Sequence, residues 1–236
     1  LAQALDLCAK SKTRLAMRTA AQARVVIGRL VRVEGDVVLA RAQFDSALKL
    51  AKRSGAKQVE SEATMELGHL HSDKRDRSAA RVHYSTARDI LGEGGSERHQ
   101  LAADIGLAKL AIQEGRLAEG AATLQRAAAA FERLKQTRAA SDVYCLLGQL
   151  SLSQGDLKGA EARVEQATAL AERSKCLEGQ TRCEALHAAL ALAGADFTAA
   201  EAGFRKVHEA FSAMECPHDE AVCVQGLAEV NLYVGH

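Results

Sequence analysis

One frame of 40 residues returns along this 236-residue chain without slipping, and it constrains the fold more than any other feature. Gly148 aligns with Gly28, Gly68, Ala108, Ala188 and Ala228. Gly155 aligns with Gly35, Arg75, Gly115, Ala195 and Gly235. Ala160 falls in step with Ala40, Ala80, Gly120 and Ala200, and Ala167 with Ala47, Ala87, Ala127 and Val207. Within each unit apolar residues recur at spacings of three and four, as in Ile27, Leu30 and Val31 or Leu147 and Leu150, which is the period of a helix with one buried face. Gly35, Gly115 and Gly155 follow such runs and can take the left-handed conformation that closes a helix. Asp36 and Asp156 come next and can cap the following helix. Small residues at Gly28, Ala40 and Ala47 let the two helices approach closely.

The spacing predicts helices over about 17–34, 36–53, 57–74, 76–91, 97–114, 117–134, 137–154, 157–174, 177–193, 197–213 and 217–234. Pro217 suits the first turn of the last one, where its missing N–H is no loss. A single proline and 3% aromatic residues suit close-packed helices and argue against strands. One helical hairpin cannot bury both its faces, so the units must stack. The expected fold is all-α, a right-handed α-solenoid of antiparallel helix pairs forming a single segment over 1–236. It divides into a partial repeat 1–16, repeats 17–56, 57–96, 97–136, 137–176 and 177–216, and a partial repeat 217–236. Residues 1–12 match a second helix, so the chain reads as beginning inside a repeat and ending where another turn should start.

The pattern Leu/Ile-Gly/Ala, then Gly-Asp seven residues on, then Ala, Phe/Tyr/Leu and Ala, resembles the tetratricopeptide repeat and covers nearly the whole chain. The commonest period of that family is about 34 residues; the longer unit is similar to the class seen in kinesin light chains and in many bacterial regulators. Two features depart from the family pattern. The early aromatic of the first helix is replaced by Arg24, Thr64, Asp104 and Glu184, and the closing proline is missing. The resemblance implies a superhelix whose first helices line a concave face along which ligands lie. It also implies that the carboxylate clamp of some members is absent, because its Lys and Asn do not stand at the matching positions.

Repeat two is irregular. Arg75 stands where glycine is usual, at a cost of about 1 kcal/mol if it turns left-handed. The run Gly92-Glu93-Gly94-Gly95 reads as a looser loop or a hinge.

The residues exclude several functions. A formal charge of +1 gives none of the basic field of a nucleic-acid binder. No apolar run is long enough for a membrane span, and no signal peptide opens the chain. No nucleophile motif, phosphate loop or paired-histidine metal helix is present, so neither catalysis nor a cofactor is expected. His69 and His71 lie two apart on a helix and must diverge. His187, at a consensus leucine position, reads as an interior histidine with a hydrogen bond. Six cysteines in a chain of this length read as small apolar residues rather than a disulfide framework. Cys216, His218 and Cys223 lack the paired close spacing of zinc ligands, so no metal is expected.

What remains is the concave face that the resemblance implies. The residue after the small Gly/Ala is Arg29, His69, Lys109 and Gln149 in successive repeats, and one turn earlier stand Val25, Met65 and Ile105. Basic and apolar rows side by side suit an acidic, amphipathic peptide. Bases outnumber acids in the first half of the chain and the reverse holds in the second, which could orient a partner. The reading is a protein–protein interaction scaffold or adaptor, cytoplasmic, binding a peptide or partner protein in its groove and able to self-associate through open ends. The alternative is a ligand- or partner-sensing regulatory segment of a larger bacterial signalling protein, such as a kinase or transcription activator.

Overall fold

A computed structural model describes residues 13–92, 95–214 and 216–234, the side chains of 217 and 218 excepted. Among these residues the chain is all-α, with no strand. Its helices are α1 (Arg14–Val33), α2 (Val37–Ser54), α3 (Lys57–Asp73), α4 (Arg77–Leu91), α5 (Glu97–Gln113), α6 (Leu117–Arg133), α7 (Thr137–Ser153), α8 (Leu157–Ser174), α9 (Leu177–Ala193), α10 (Phe197–Ala213) and α11 (Pro217–Val234). The expected boundaries agree with these to within three residues. The expected partial helix at 1–12, Glu93-Gly94 in the glycine-rich loop, and Gly235-His236 lie outside the described residues.

The punctuation is more regular than the glycines suggest. Left-handed residues close helices at Gly35, Gly55, Arg75, Gly115, Lys135, Gly155, Lys175 and Ala195, with φ between 53° and 90°, so successive helices are marked off at intervals of about half the repeat. Arg75 adopts φ 59°, the strained conformation anticipated for it. Asp36 and Asp156 accept from the N–H of Leu39 and Gly159, and Asp76 and Asp196 do the same for Ala79 and Ala199. Each cap satisfies one of the orphan donors at a helix start.

The chain divides between Gly120 and Ala121 into two compact units. In the first, α1 packs with α2 and α3 with α4, and α3 also touches α1 and α5. Large residues of the second helices fill the space left by small residues of the first. Phe44 is fully buried and a Cβ at Gly28 would lie 2.5 Å from its ring; Tyr84 is held in the same way between Gly68 and Gly106. Met17, Ala20, Ala21 and Val25 of α1 share one core with Ala47, Leu50 and Ala51 of α2 and Val59 and Ala63 of α3.

In the second unit α7 packs with α8, α9 with α10, and α9 also touches α7 and α11. Phe204 presses against Gly226, and Phe204, Val207, Phe211, Cys223 and Val230 share one core. Ser61 and Ser141, two repeats apart, make the same bond: each hydroxyl donates to a mid-helix carbonyl, that of Ala87 at 2.6 Å and of Ala167 at 2.8 Å. The stacked helix pairs within each unit form an α-solenoid arrangement.

Candidate functional site

The first helices carry the chemistry of each unit. In the first unit, α1, α3 and α5 place their polar residues on adjoining turns. Arg29 of α1 donates through Nε to Glu66 of α3 at 2.6 Å and lies 3.7 Å from Glu62. Glu62 in turn sits 2.7 Å from Nε2 of His99 on α5. Arg32 pairs with Asp73 at 2.9 Å. The hydrogen bond to His99 holds the Glu62 carboxyl below the usual range against the effect of its burial, with the Arg29 charge assisting.

Glu66 is the unexpected member. Its side chain is 5% exposed, and Oε2 is buried without a hydrogen-bond partner. The frame places Gly106, Leu146, Leu186 and Gly226 at the same position, so a carboxylate there is not a packing requirement.

His69 is half-buried, its Nδ1 2.7 Å from the Tyr84 hydroxyl and the two rings edge to face. Burial depresses its pKa, leaving the ring neutral near pH 7. His71 turns elsewhere, to Asp76 at 3.2 Å and into a stack with His83, so the two histidines diverge as their spacing requires. Lys109 is exposed on α5 and close enough to His69 to lower its pKa. The structure therefore brings Arg29, His69 and Lys109 onto neighbouring helices, but not as a plain basic row, because Glu62, Glu66 and Asp73 interleave with them. Val25 is 1% exposed and belongs to the core between α1, α2 and α3, so it offers no surface. The stripe of which it is part faces the next helix. Met65 and Ile105 are half-buried, Met65 against Ala80, Tyr84 and Leu110.

In the second unit Gln149 is exposed on α7. Arg182 of α9 is the hub there, reaching Asp142 on α7 at 3.2 Å, Glu178 on its own helix at 2.8 Å and Asp219 on α11 at 3.2 Å. Burial alone would depress its pKa, but Asp219, Asp142 and Glu178 raise it above the ordinary arginine value. His187 is exposed and hydrogen-bonds Thr168 at 3.2 Å, so it is a surface residue and not an interior one. Among the described residues no group of His, Cys, Asp and Glu is placed to hold a metal ion, and no helix is long and apolar enough to cross a membrane.

The acidic partners Glu62, Glu66 and Asp73 escaped the sequence reading because it compared equivalent positions. The signal was there in another spacing: Arg29–Glu66, Glu62–His99 and Arg182–Asp219 are all 37 positions apart.

No protein-family model and no curated protein matches the chain. Solved structures do. BtubC (BKLC) from P. vanneervenii is similar over 91% of this chain and 89% of its own, with a TM-score of 0.69 and 21% identity. A signal transduction ATPase (STAND) protein with a tetratricopeptide repeat sensor, from Pyrococcus horikoshii, is similar over 93% of this chain with a TM-score of 0.65 and 11% identity; this chain spans 34% of that one. A Rap protein complexed with Competence and Sporulation Factor is similar over 94% of this chain and 64% of its own, with a TM-score of 0.62 and 13% identity. With consecutive helix pairs, left-handed closures and capping aspartates in a common frame, the chain has the fold of the tetratricopeptide-type repeat proteins.

Proposed function

We propose that the chain is a protein-interaction scaffold or adaptor, without catalysis of its own, that receives a peptide or partner protein along the face of its first helices. One observation carries this reading: Arg29, Glu62, Glu66, His69 and His99 form a polar face on α1, α3 and α5 where helix packing asks for less. A buried carboxylate at Glu66 is costly unless paired, and Gly or Leu fills its position in other repeats. The Rap protein to which the chain is similar is complexed with Competence and Sporulation Factor, which supports a partner of this general kind.

The binding residues are Arg29, His69 and Lys109, with Met65 and Ile105 as apolar neighbours, in the first unit, and Gln149 in the second. An acidic, amphipathic partner fits, its carboxylates competing with Glu62 and Glu66 for Arg29 and meeting Lys109. A peptide library panned on the purified chain, followed by titration of the selected peptides against salt, tests this. Reversal of Arg29 and Lys109 to glutamate should weaken binding by about tenfold or more and flatten its salt dependence, with helicity intact. Binding that survives this reversal but is lost on substitution of the exposed residues of α2 and α4 would assign the partner to the outer helices instead.

The likeness to the STAND protein's tetratricopeptide repeat sensor favours a second reading, a sensing segment of a larger bacterial signalling protein. A cytoplasmic location accords with either reading.

A further inference from the structure

Successive first helices meet through a repeated pair of positions. Val25 and Ala63 share one core cluster, and Ala185 packs on the cluster that holds Cys223. At the equivalent contact between α7 and α9 the two residues are Cys145 and Cys183, with their sulfurs 3.7 Å apart and both side chains buried. Valine with alanine, or alanine with cysteine, serves the same contact elsewhere, so packing does not demand two facing thiols.

The surroundings prepare one sulfur for reaction. The neighbouring Cys145 thiol, 3.7 Å away, holds the Cys183 thiol below its ordinary pKa, although burial raises it. The Cys145 thiol is pushed up by that same contact and by burial. A thiolate is the nucleophile in cysteine oxidation, and Cys183 is the better source of one.

We propose that Cys145 and Cys183 are a redox-sensitive dithiol that a peroxide converts to a disulfide, joining α7 covalently to α9. The Cys183 thiolate attacks one peroxide oxygen, the O–O bond breaks, and hydroxide leaves and takes up a proton as water. Cys183 is then a sulfenic acid. The Cys145 sulfur attacks the Cys183 sulfur, the S–O bond breaks, and the oxygen departs with the Cys145 proton as a second water. The two sulfurs give up two electrons, and one hydrogen peroxide becomes two waters. Forming the bond closes the sulfurs from 3.7 Å to about 2.05 Å. Asp142–Arg182 and Arg138–Glu178 already tie these helices at their polar edge, and the disulfide would fix their spacing and with it the shape of the face they present.

The test is graded hydrogen peroxide on the purified chain, alkylation of the remaining thiols, digestion and mass spectrometry. The expected result is a cross-linked peptide joining Cys145 to Cys183, formed ahead of any other pair, reversed by dithiothreitol and accompanied by a higher urea midpoint. Cys145→Ala and Cys183→Ala, residues the chain itself uses at this contact, should each abolish the cross-link and the shift. The proposal is overturned if peroxide leaves both thiols open to alkylation on unfolding while Cys8, Cys176, Cys216 or Cys223 oxidise. It is equally overturned if the cross-link forms without moving the midpoint. The wild-type chain alone decides the first outcome should a variant fail to fold.

Discussion

Replacing His69 by glutamine isolates the contribution of one proton to stability. Burial holds the pKa of His69 below its ordinary value of 6.5; Arg32 and Lys109 push the same way, while Glu66 and Asp73 oppose. A depressed pKa in the fold means that the unfolded chain binds the proton first. His69 therefore contributes stability that is fully present above pH 6.5 and is lost as the pH falls through the folded value. Between those two points the slope is at most about 1.4 kcal/mol per pH unit for a single proton. Glutamine does not titrate, occupies the equivalent position at Gln149, and can still bond the Tyr84 hydroxyl. Urea unfolding followed by circular dichroism, from about pH 8 to about pH 5, should show the wild type losing stability relative to His69→Gln as acid is added, with a slope no steeper than about 1.4 kcal/mol per pH unit. His83, whose pKa burial and His71 also lower, is present in both proteins and cancels. Parallel curves over this range would show that His69 gains its proton as readily in the fold as out of it, and would refute the reasoning.

Gly28→Ala should be about 1–2 kcal/mol less stable than Gly148→Ala by urea midpoint, because both gain helix propensity but only the first must displace a buried ring; a Cβ would meet Phe44 at 2.5 Å in one case and Val164 at 3.1 Å in the other. Equal midpoints would mean that Phe44 moves aside freely. Gly155→Ala, at φ 75°, should cost about 1–2 kcal/mol, while Arg75→Gly, at φ 59°, should be neutral or stabilising by up to about 1 kcal/mol. A stabilising Gly155→Ala, read by thermal denaturation, would contradict this. Arg182→Ala should lower stability by about 1–3 kcal/mol, the value reduced because the side chain is 27% exposed, since it leaves Asp142, Glu178 and Asp219 without their shared cation. A loss under about 0.5 kcal/mol would mark the cluster as surface decoration.

The helices were legible because a left-handed residue closes most of them and a capping aspartate opens α2, α4, α8 and α10 in a fixed frame. Gly35, Gly115 and Gly155 announced closures through residue type. Lys135, Lys175 and Ala195 could not, because residues with side chains do not favour the left-handed conformation they adopt there. The face of the first helices was half legible. Equivalence of Arg29, His69 and Lys109 follows from the frame, but pairing of Arg29 with Glu66 depends on how far one first helix is offset from the next, which no single helix encodes. Val25 shows the other limit: its stripe is apolar because it meets α3, and a periodic stripe looks the same whether a neighbouring helix or a ligand covers it. Cys145 and Cys183 stand 38 positions apart, off the repeat by two, so a comparison of equivalent positions does not bring them together.

Glu62 with His99 and Arg182 with Asp219 occupy the same two positions of the repeat, with acid and base exchanged. A chain built from near-copies can fold with the wrong copies side by side, since every unit offers much the same apolar surface to every other. The exchange of sign makes such errors unfavourable: α3 stacked against α11 would set Glu62 against Asp219, and α9 against α5 would set Arg182 beside His99. These two edges, like differently cut keys, thus favour their own neighbours over each other's. Exchanging α3 with α9 would lose both matched edges even though the apolar surfaces fit.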